Sequence, residues 1–502
     1  MESRPGELVR GIVNKPNIVY ILADDMGYGD MGCNNPASKI PTPNLDRLAA
    51  QGMRFTDAHA PSSVCTPSRY AILTGRYCWR GKLKRAVLWP WDAALIEKDR
   101  LTVAGLLRRN GYNTACIGKW HLGWDWATLD GQPADGGMAP GEFDIERRRE
   151  LARNIDFSKP MRGGPVDCGF DTYFGEDVPN FPPFTWIEQD RLVTQPTDDV
   201  LEGEHLLDGV MAPGWRLEDV MPEITRRSVQ YIGDSGDQPL FLYFPLTAPH
   251  TPIVPAKVFQ GMSGAGKYGD YVCEVDWTVG QIMDALDREG IADNTLLIFT
   301  SDNGPEAFAY DRVREHGHCS MGHLRGVKRD VWEGGHREPF IARWPGITPS
   351  GTVCDELCTL GDPMATCAEI VGAGVPDGSG EDSVSILPLL RGEQRPVRTS
   401  AIHHSYEGTF AIRKGEWVFI DASTGRDHPR NKEPDWLKEE RGYVAHDQPG
   451  ELFNLNDDIA ERVNHYASQP ELVKEMSAML EEAKVCGRSG DILQVPDHEL
   501  SE

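Results

Sequence analysis

Four short, uninterrupted apolar runs constrain the fold of this 502-residue chain more than any other feature. They occupy residues 17–23, 114–117, 240–244 and 296–299. Continuous apolar runs of this length are typical of strands that are buried on both faces of a parallel sheet, and helical patterns separate them. The sequence therefore predicts an α/β fold in which a large mixed, mostly parallel sheet is sandwiched by helices.

Each of these runs leads into polar residues that can carry out chemistry. In chain order these are Asp24 and Asp25, Lys119 and His121, His250, and Asp302 and Asn303. Ligands of open α/β sheets bind beyond the carboxyl ends of the strands, so we expect these side chains to converge on one crevice. For the polar residues after any single run, a solvated loop or a helix cap is the favoured explanation, but the four runs together favour a functional site.

The pattern changes in the last fifth of the chain. Residues 411–420 have the pattern of a β-hairpin, and residues 451–455 have that of a further strand. Apolar residues recur at helical spacing near 470–485. We therefore predict a catalytic domain over residues 1–390 and a smaller α+β domain, an antiparallel sheet plus a helix, over residues 391–502.

The chain is acidic, with a formal net charge of −26. This charge disfavours nucleic acid and anionic membrane surfaces as partners, and no apolar run approaches the roughly 18 residues that span a bilayer.

The first ten residues contain no apolar stretch, so the sequence as written begins without a secretory signal. The compartment stays open: cytoplasmic for the chain as written, periplasmic or secreted if a signal was removed. The 11 cysteines match no zinc-ligand spacing.

One cysteine stands at a predicted helix start. Residues 65–75 read Cys-Thr-Pro-Ser-Arg-Tyr-Ala-Ile-Leu-Thr-Gly. Pro67 suits the first turn of a helix, which places Cys65 at the helix N-terminus, where backbone N–H groups and the helix dipole favour an anion. From the residues alone, Cys65 is either a thiol nucleophile of low pKa or a structural cysteine beside a helix cap.

The stretch from Cys65 to Gly75 resembles the signature of the type I, formylglycine-dependent sulfatases of the alkaline phosphatase superfamily, in which the cysteine is oxidised to formylglycine. Further segments resemble the same family in the same order: residues 17–27, 42–49, 118–123, 249–252, 301–304 and 324–335. The resemblance implies an alkaline-phosphatase-like fold and a sulfuric ester hydrolase similar to arylsulfatases. It also implies a formylglycine-generating maturation enzyme as a partner.

The resemblance assigns a role to each matched residue. The metal ligands would be Asp24, Asp25, Cys65 as formylglycine, Asp302 and Asn303. These oxygen ligands suit Ca²⁺, with Mg²⁺ as the alternative. The catalytic residues would be Cys65, Arg69, Lys119, His121, His250 and Lys328. In this interpretation Arg69 and Lys119 hold the formylglycine hydrate. His250, rather than Lys328, protonates the leaving alcohol, and His121 deprotonates the second hydroxyl.

Residues that bind the rest of the substrate are less marked in the sequence. Basic and aromatic residues follow the Cys65 helix, and we assign Arg80 and Trp91 to substrate binding, although a solvated face with buried tryptophans fits about equally well. His316 and His318 precede Lys328, and we interpret them as pocket-lining residues rather than as a zinc cluster.

Two further features remain outside the matched motifs. Residues 124–165 form a polar, glycine-rich insertion that we expect on the surface, where it would shape the mouth of the pocket. His403 and His404 begin the smaller domain, and we interpret them as surface or core histidines rather than as cleft residues.

The expected substrate is a sulfated small molecule or saccharide. We favour a carbohydrate sulfate because tryptophans and arginines follow the Cys65 helix, and we keep aryl sulfates as the second choice. Two other functions stay open: a phosphoester or phosphonate hydrolase on the same scaffold, and a non-catalytic protein that binds sulfated glycans. The complete set of acid, base and metal residues favours the sulfatase.

Overall fold

A ten-stranded sheet forms the centre of the computed structural model, which describes residues 15–200 and 207–489. The strands of the described residues are β1 (Asn17–Ala23), β2 (Met53–Phe55), β3 (Ala58–His59), β4 (Asn113–Lys119), β5 (Thr172–Glu176), β6 (Ile187–Glu188), β7 (Arg191–Leu192), β8 (Asp198–Val200), β9 (Gly209–Met211), β10 (Leu240–Pro245), β11 (Thr295–Ser301), β12 (Phe340–Arg343), β13 (Thr352–Cys354), β14 (Cys358–Thr359), β15 (Ser400–His404), β16 (Phe410–Lys414), β17 (Trp417–Ile420) and β18 (Glu451–Asn454). Their α-helices are α1 (Pro43–Gln51), α2 (Cys65–Thr74), α3 (Val103–Arg109), α4 (Ile145–Ala152), α5 (Val220–Gly233), α6 (Gly266–Arg288), α7 (Ala309–His316), α8 (Glu333–His336), α9 (Pro363–Val371), α10 (Leu387–Leu390), α11 (Asp435–Arg441) and α12 (Pro470–Val485).

The four apolar runs form four adjacent strands at the middle of the sheet. Their order is β11-β1-β10-β4, and all three pairings are parallel. The full order is β13-β2-β12-β11-β1-β10-β4-β5-β6-β7. Antiparallel pairs occur only toward the two edges, where β11 meets β12, β12 meets β2, and β5, β6 and β7 follow one another. The predicted large mixed, mostly parallel sheet is confirmed.

Side chains of the central strands alternate between two cores on opposite faces of the sheet. In β1, Ile18, Tyr20 and Leu22 pack in one core, whereas Val19 and Ile21 pack in the other. None of these five side chains is more than 3% exposed. Helices α2, α3 and α9 cover the first core, and α1, α5 and α6 cover the second. Because both faces are covered, the runs show no alternation of apolar and polar residues.

A second, smaller sheet lies near the carboxyl terminus. Its strands follow the order β15-β16-β17-β18, and every pairing is antiparallel. Helix α12 packs Val473 and Met476 in the same apolar cluster as Ile412 and Phe419 of the sheet. The predicted antiparallel sheet plus helix is confirmed. A domain boundary near residue 390, between α10 and β15, remains our proposal.

Two expectations concern membranes and export. The first ten residues, on which the expectation about a secretory signal rests, lie outside the described residues. Among the helices of the described ranges, none has both the length and the apolar character needed to cross a bilayer.

Candidate active site

The carboxyl ends of β1 and β11 bring four oxygen-bearing side chains together. Asp24 and Asp25 follow β1, and Asp302 and Asn303 follow the neighbouring strand β11. The backbone N–H of Asp25 donates to Asp302 Oδ1 at 3.3 Å, and Asn303 Nδ2 donates to Asp25 Oδ1 at 2.8 Å. None of the four residues is more than 1% exposed. Two adjacent parallel strands thus build one buried group of oxygen atoms.

Helix α2 places Cys65 and Arg69 beside this group. The helix begins at Cys65, which is 2% exposed, and Pro67 lies in its first turn. One turn further on, Arg69 Nε donates to Asp302 Oδ2 at 2.9 Å, and Arg69 Nη2 lies 2.7 Å from the same oxygen as an ion pair. This charge-assisted contact fixes the helix against the end of β11. The first residue of the helix therefore lies where backbone N–H groups favour negative charge.

Two buried lysines neutralise the aspartates. Lys119, the last residue of β4, donates from Nζ to Asp24 Oδ2 at 2.6 Å, and Lys328 Nζ donates to Asp25 Oδ1 at 2.6 Å. Burial alone would raise the pKa of Asp24, but the charge of Lys119 and of the other cationic groups nearby outweighs it and holds this pKa well below its usual range. The site thus concentrates positive charge that an anionic substrate can also use.

Three oxygen atoms of the aspartate group are buried without a hydrogen-bond partner: Asp24 Oδ1, Asp25 Oδ2 and Asn303 Oδ1. Burial, together with the charge of Asp24, raises the pKa of Asp302 well above its usual value. Unpaired buried oxygens cost free energy unless a positive group meets them. Carboxylate and amide oxygens suit Ca²⁺ or Mg²⁺ better than zinc. These residues therefore fit a hard divalent cation.

Two histidines reach the same site from the neighbouring strands β4 and β10. His121 Nε2 donates to the Leu88 carbonyl oxygen at 3.1 Å, which leaves its buried Nδ1 without a partner. Burial lowers the pKa of His121 to about 3, so the ring is neutral and Nδ1 can accept a proton. His250 Nδ1 donates to the Thr251 carbonyl oxygen at 2.5 Å, and its Nε2 lies 3.8 Å from Asp25 Oδ2.

Two of these residues adopt a left-handed backbone conformation. Asp25 has a φ of 68° and His121 a φ of 54°. Each lies two positions beyond the end of a central strand, where the chain turns sharply. Residues other than glycine are uncommon in this region, and such strain is concentrated at functional sites.

A cleft of about 890 Å³ opens over the site, within the size range of small-molecule pockets. Cys65, His121, His250 and Lys328 line it. The rest of the wall combines aromatic and charged side chains, among them Trp89, Phe143, Phe181, Glu306, Arg329 and Arg430. Phe143 belongs to the insertion that we expected at the mouth of the pocket. The cleft therefore joins the sequence-predicted residues to a wall of mixed aromatic and charged character.

Arg80 and Trp91, which we assigned to substrate binding from the sequence, do not line this cleft. Arg80 forms an ion pair with Asp382, with 2.9 Å between Nε and Oδ2. Trp91 is 3% exposed and donates from Nε1 to the Arg148 carbonyl oxygen at 3.2 Å. Both side chains are engaged in packing, and the nearby tryptophan that does reach the cleft is Trp89.

His316 and His318 also lie outside the cleft lining. The buried His318 pairs through Nε2 with Asp30 Oδ1 at 2.7 Å, and its Nδ1 accepts the Lys39 backbone N–H at 3.2 Å. His316 ends α7, with its Nε2 3.9 Å from Glu315 Oε2. The two rings have different neighbours, and in the described part of the chain neither belongs to a group of side chains that could hold a metal ion.

Sequence reasoning passed over most of the cleft wall. Glu306 and Arg329 form an ion pair through two contacts of 2.6 Å, although they are 23 positions apart in the chain. Arg430 comes from the carboxyl-terminal region, and no local pattern links it to the strand ends. Trp89 stands two residues from Trp91, and only the geometry of the turn between them decides which one faces the cleft. The one available signal was that Glu306 and Arg329 lie close in sequence to matched motif residues, namely residues 301–304 and Lys328.

Comparison with known proteins places the chain in a family. A family model described as Sulfatase matches residues 16–373. An N-acetylgalactosamine-6-O-sulfatase of Bacteroides thetaiotaomicron is 34% identical over 501 residues, which cover 94% of this chain and 93% of the relative. Human arylsulfatase A is 34% identical over 467 residues, which cover 90% of this chain and 84% of arylsulfatase A. A solved structure from work on the metabolism of multiple glycosaminoglycans by Bacteroides thetaiotaomicron has a TM-score of 0.79 at 31% identity. The match covers 94% of this chain and 100% of the chain in that structure.

The fold and the site define a hydrolase with the alkaline-phosphatase-like architecture, in which a mostly parallel sheet carries its chemistry at the carboxyl ends of the strands. The chain belongs to the sulfatase family and is a sulfuric ester hydrolase. The recognition made from the Cys65 motif is confirmed.

Proposed function

We propose that this protein hydrolyses the sulfate ester of a carbohydrate, through a formylglycine made from Cys65 and a bound divalent cation, Ca²⁺ or Mg²⁺. The observation that carries the proposal is the position of Cys65. It is the first residue of α2, it lies in the cleft wall, and its helix is tied through Arg69 to the buried oxygen group. The N-acetylgalactosamine-6-O-sulfatase among the relatives supports a saccharide substrate.

In this proposal the cation and the formylglycine share one set of residues. Asp24, Asp25, Asp302 and Asn303 would hold the cation, with the side chain at position 65 completing the set. The cation would polarise sulfate oxygens, and a formylglycine hydrate would supply one hydroxyl to attack sulfur and a second to help release sulfate. A formylglycine-generating maturation enzyme in the host is therefore a required partner.

The buried lysine side chains of the site would bind the anionic sulfate. Lys119 neutralises Asp24 and Lys328 neutralises Asp25, and in each pair 2.6 Å separates Nζ from the carboxylate oxygen. Once a divalent cation shares that task, their ammonium groups can donate to sulfate oxygens as charge-assisted hydrogen bonds. Arg69 stays on Asp302 and orients the side chain at position 65 from one turn further along the same helix.

Two proton transfers are assigned to the histidines. A sugar alcohol is a poor leaving group, so it needs a proton as it departs. His250 lines the cleft on the side of Asp25 and is our general acid, with Lys328 on the same wall as the alternative. Burial lowers the pKa of His250 to about 4 in the free protein, so in this proposal the ring takes up its proton together with the anionic sulfate, whose negative charge favours the protonated form. His121 is our base for the second hydroxyl, because its Nδ1 is buried, unpartnered and unprotonated.

The cleft wall suits a sugar ring. Trp89 lies between Phe143 and Phe181, with ring centroids 4.4 Å and 5.4 Å away. Such an aromatic wall offers an apolar face, while the ion pair of Glu306 and Arg329 offers acceptors and donors for ring hydroxyls. Together these side chains would bind the saccharide and orient its sulfate toward position 65.

The proposal is tested with a panel of position-defined sulfated saccharides, beginning with N-acetylgalactosamine 6-sulfate, and with an aryl sulfate and an aryl phosphate. The protein is produced with a formylglycine-generating enzyme, and sulfate release is measured. We expect at least one saccharide sulfate to be hydrolysed with a kcat/KM well above that of the aryl phosphate, and Cys65→Ala to be inactive on all of them. Preference for the phosphate, or sulfate binding without turnover, would contradict the proposal.

A further inference from the structure

One segment of the carboxyl-terminal region forms a wall of the cleft. It spans residues 428–434, and every second residue of it lines the cleft: His428, Arg430, Lys432 and Pro434. Between them, Asn431 and Glu433 are buried behind the wall, with 0% and 2% of their surface exposed. This alternation is typical of an extended backbone, in which successive side chains point to opposite sides. Arg430 and Lys432 therefore face the cleft together.

The buried residue between these two cations fixes their position. Asn431 Nδ2 donates to the Lys328 carbonyl oxygen at 2.6 Å and to Asp330 Oδ1 at 2.9 Å. The segment is thus tied to the backbone of the lysine whose ammonium group contacts the metal ligand Asp25. Because this anchor is buried, the backbone next to Arg430 is held at a set position relative to the sulfate site.

A short series of contacts links Arg430 to position 65. The Tyr406 ring packs against the apolar cluster that includes Cys65. It also meets the His428 ring nearly at a right angle, with 5.3 Å between the ring centroids. His428 Nδ1 in turn accepts the backbone N–H of Arg430 at 3.2 Å. Position 65 and Arg430 therefore belong to one continuous surface of the cleft.

The charges of the cleft lining are unbalanced. The lining contains these lysines, arginines and carboxylates: Lys328, Arg329, Arg430, Lys432, Glu306 and Asp311. Glu306 is engaged by Arg329. In the part of the chain that the structure describes, neither Arg430 nor Lys432 forms an ion pair. The nearby charge of Asp435 partly compensates Lys432, so Arg430 is the less compensated of the two.

We infer that Arg430, assisted by Lys432, binds a second anionic group of the substrate. The inference rests on the proposed function and narrows it: the preferred substrate is a saccharide that carries a further carboxylate or sulfate besides the sulfate ester that is cleaved. The planar guanidinium group can donate two parallel hydrogen bonds to either anion. In a chain with a formal net charge of −26, a cation without a carboxylate partner in the cleft favours an anion that the substrate supplies.

The size of the effect follows from exposure. Both side chains are exposed, so water and salt screen their contacts. We expect the second anion to increase affinity about 5- to 10-fold, between the effect of an exposed ion pair and that of a hydrogen bond between charged groups. The gain should shrink in about 0.5 M NaCl, where the screening length is only about 4 Å.

The test uses three disaccharides, in which N-acetylgalactosamine 6-sulfate is linked to galactose, to glucuronate or to galactose 6-sulfate. They carry no second charge, a carboxylate and a second sulfate, respectively. Their dissociation constants are measured by calorimetry on Ca²⁺-saturated Cys65→Ala protein, so that the measurement does not depend on turnover. We expect the two acidic disaccharides to bind about 5- to 10-fold more tightly than the neutral-backbone one. Adding Arg430→Gln should remove most of this difference.

Arg426→Gln is the matched control. Arg426 is an exposed arginine of the same region that does not line the cleft, so this variant makes the same change in net charge and should keep the preference. With catalytically active protein, Arg430→Gln should raise KM for the acidic disaccharides and change kcat little.

The outcomes separate this inference from the proposed function. A preference for only one acidic disaccharide would support the inference and identify the second group as a carboxylate or a sulfate. Three equal affinities, no measurable binding of any disaccharide, or equal losses in Arg430→Gln and Arg426→Gln would each overturn it. Preferential binding of the acidic disaccharides without hydrolysis of any sulfate ester by active preparations would instead contradict the proposed function and leave the role of Arg430 supported.

Discussion

The Lys119 Nζ atom lies 2.6 Å from Asp24 Oδ2, and neither side chain has any exposed surface. This contact joins the carboxyl ends of β4 and β1, which are separated in the sheet by β10. A buried charge that loses its partner costs much more than the intact pair contributes. Lys119 is therefore both a sulfate ligand in our proposal and a support for the metal ligand Asp24.

The first prediction separates these two roles. Without divalent cations, Lys119→Met should lower the free energy of unfolding by about 3–5 kcal/mol, because it leaves Asp24 charged and less well compensated. The double variant Lys119→Met/Asp24→Asn should recover most of that loss. Denaturant unfolding of the two single variants and the double variant gives the coupling free energy. If the stability losses of the two single variants simply add in the double variant, the Lys119–Asp24 contact does not account for the loss.

The second prediction concerns the leaving group. His250→Ala should lose roughly 10²–10⁴-fold in kcat/KM on a saccharide sulfate and much less on nitrophenyl sulfate, because nitrophenol departs without a proton donor. The ratio of the two kcat/KM values, compared with that of the wild-type protein, is the measurement. If both substrates lose equally, the acid would be Lys328 and His250 would only bind sulfate.

The third prediction concerns His121, which we place after the sulfate has been transferred. His121→Ala should slow both substrates alike, because its proton transfer does not involve the leaving alcohol. Pre-steady-state measurement should show a burst of alcohol followed by slow sulfate release. A variant without a burst, or with a loss confined to the saccharide, would place His121 in the earlier step.

The fourth prediction compares Arg80 with Trp89. Arg80→Ala removes a largely buried ion pair with Asp382, so it should lower the free energy of unfolding by about 3 kcal/mol and leave KM for the saccharide nearly unchanged. Trp89→Ala should instead raise KM for the saccharide and leave the free energy of unfolding nearly unchanged, since this ring lies in the cleft wall. A raised KM in folded Arg80→Ala at unchanged stability would restore the substrate-binding role that we first gave it.

The central sheet was predictable because its signal is local. Each apolar run is a strand covered on both faces, and the polar residue after it stands at the carboxyl end by chain geometry alone, as Asp24 does after β1. The smaller sheet was predictable for a similar reason, since a hairpin is a local pattern. Both predictions depend on residues that are near one another in sequence.

The cleft wall and the contacts between buried histidines have no such local signal. Glu306 forms its ion pair with Arg329 through the tertiary fold. His59 contacts His403, with ring centroids 5.0 Å apart, because β15 lies beside the segment that follows β3. The choice between Trp89 and Trp91 depends on a left-handed backbone at Trp91, with a φ of 72°. Tertiary packing decides these positions, and one sequence without structure cannot reveal it.

The account depends most directly on the chemical state of position 65. The measurement is mass spectrometry of the peptide that contains this residue, in protein whose sulfate release from a saccharide sulfate has been quantified. We predict the mass of the aldehyde or its hydrate, in a fraction that rises in proportion to specific activity across preparations made with and without the maturation enzyme. Fully active protein in which position 65 is an unmodified cysteine thiol, or Cys65→Ala protein that still releases sulfate, would contradict the account.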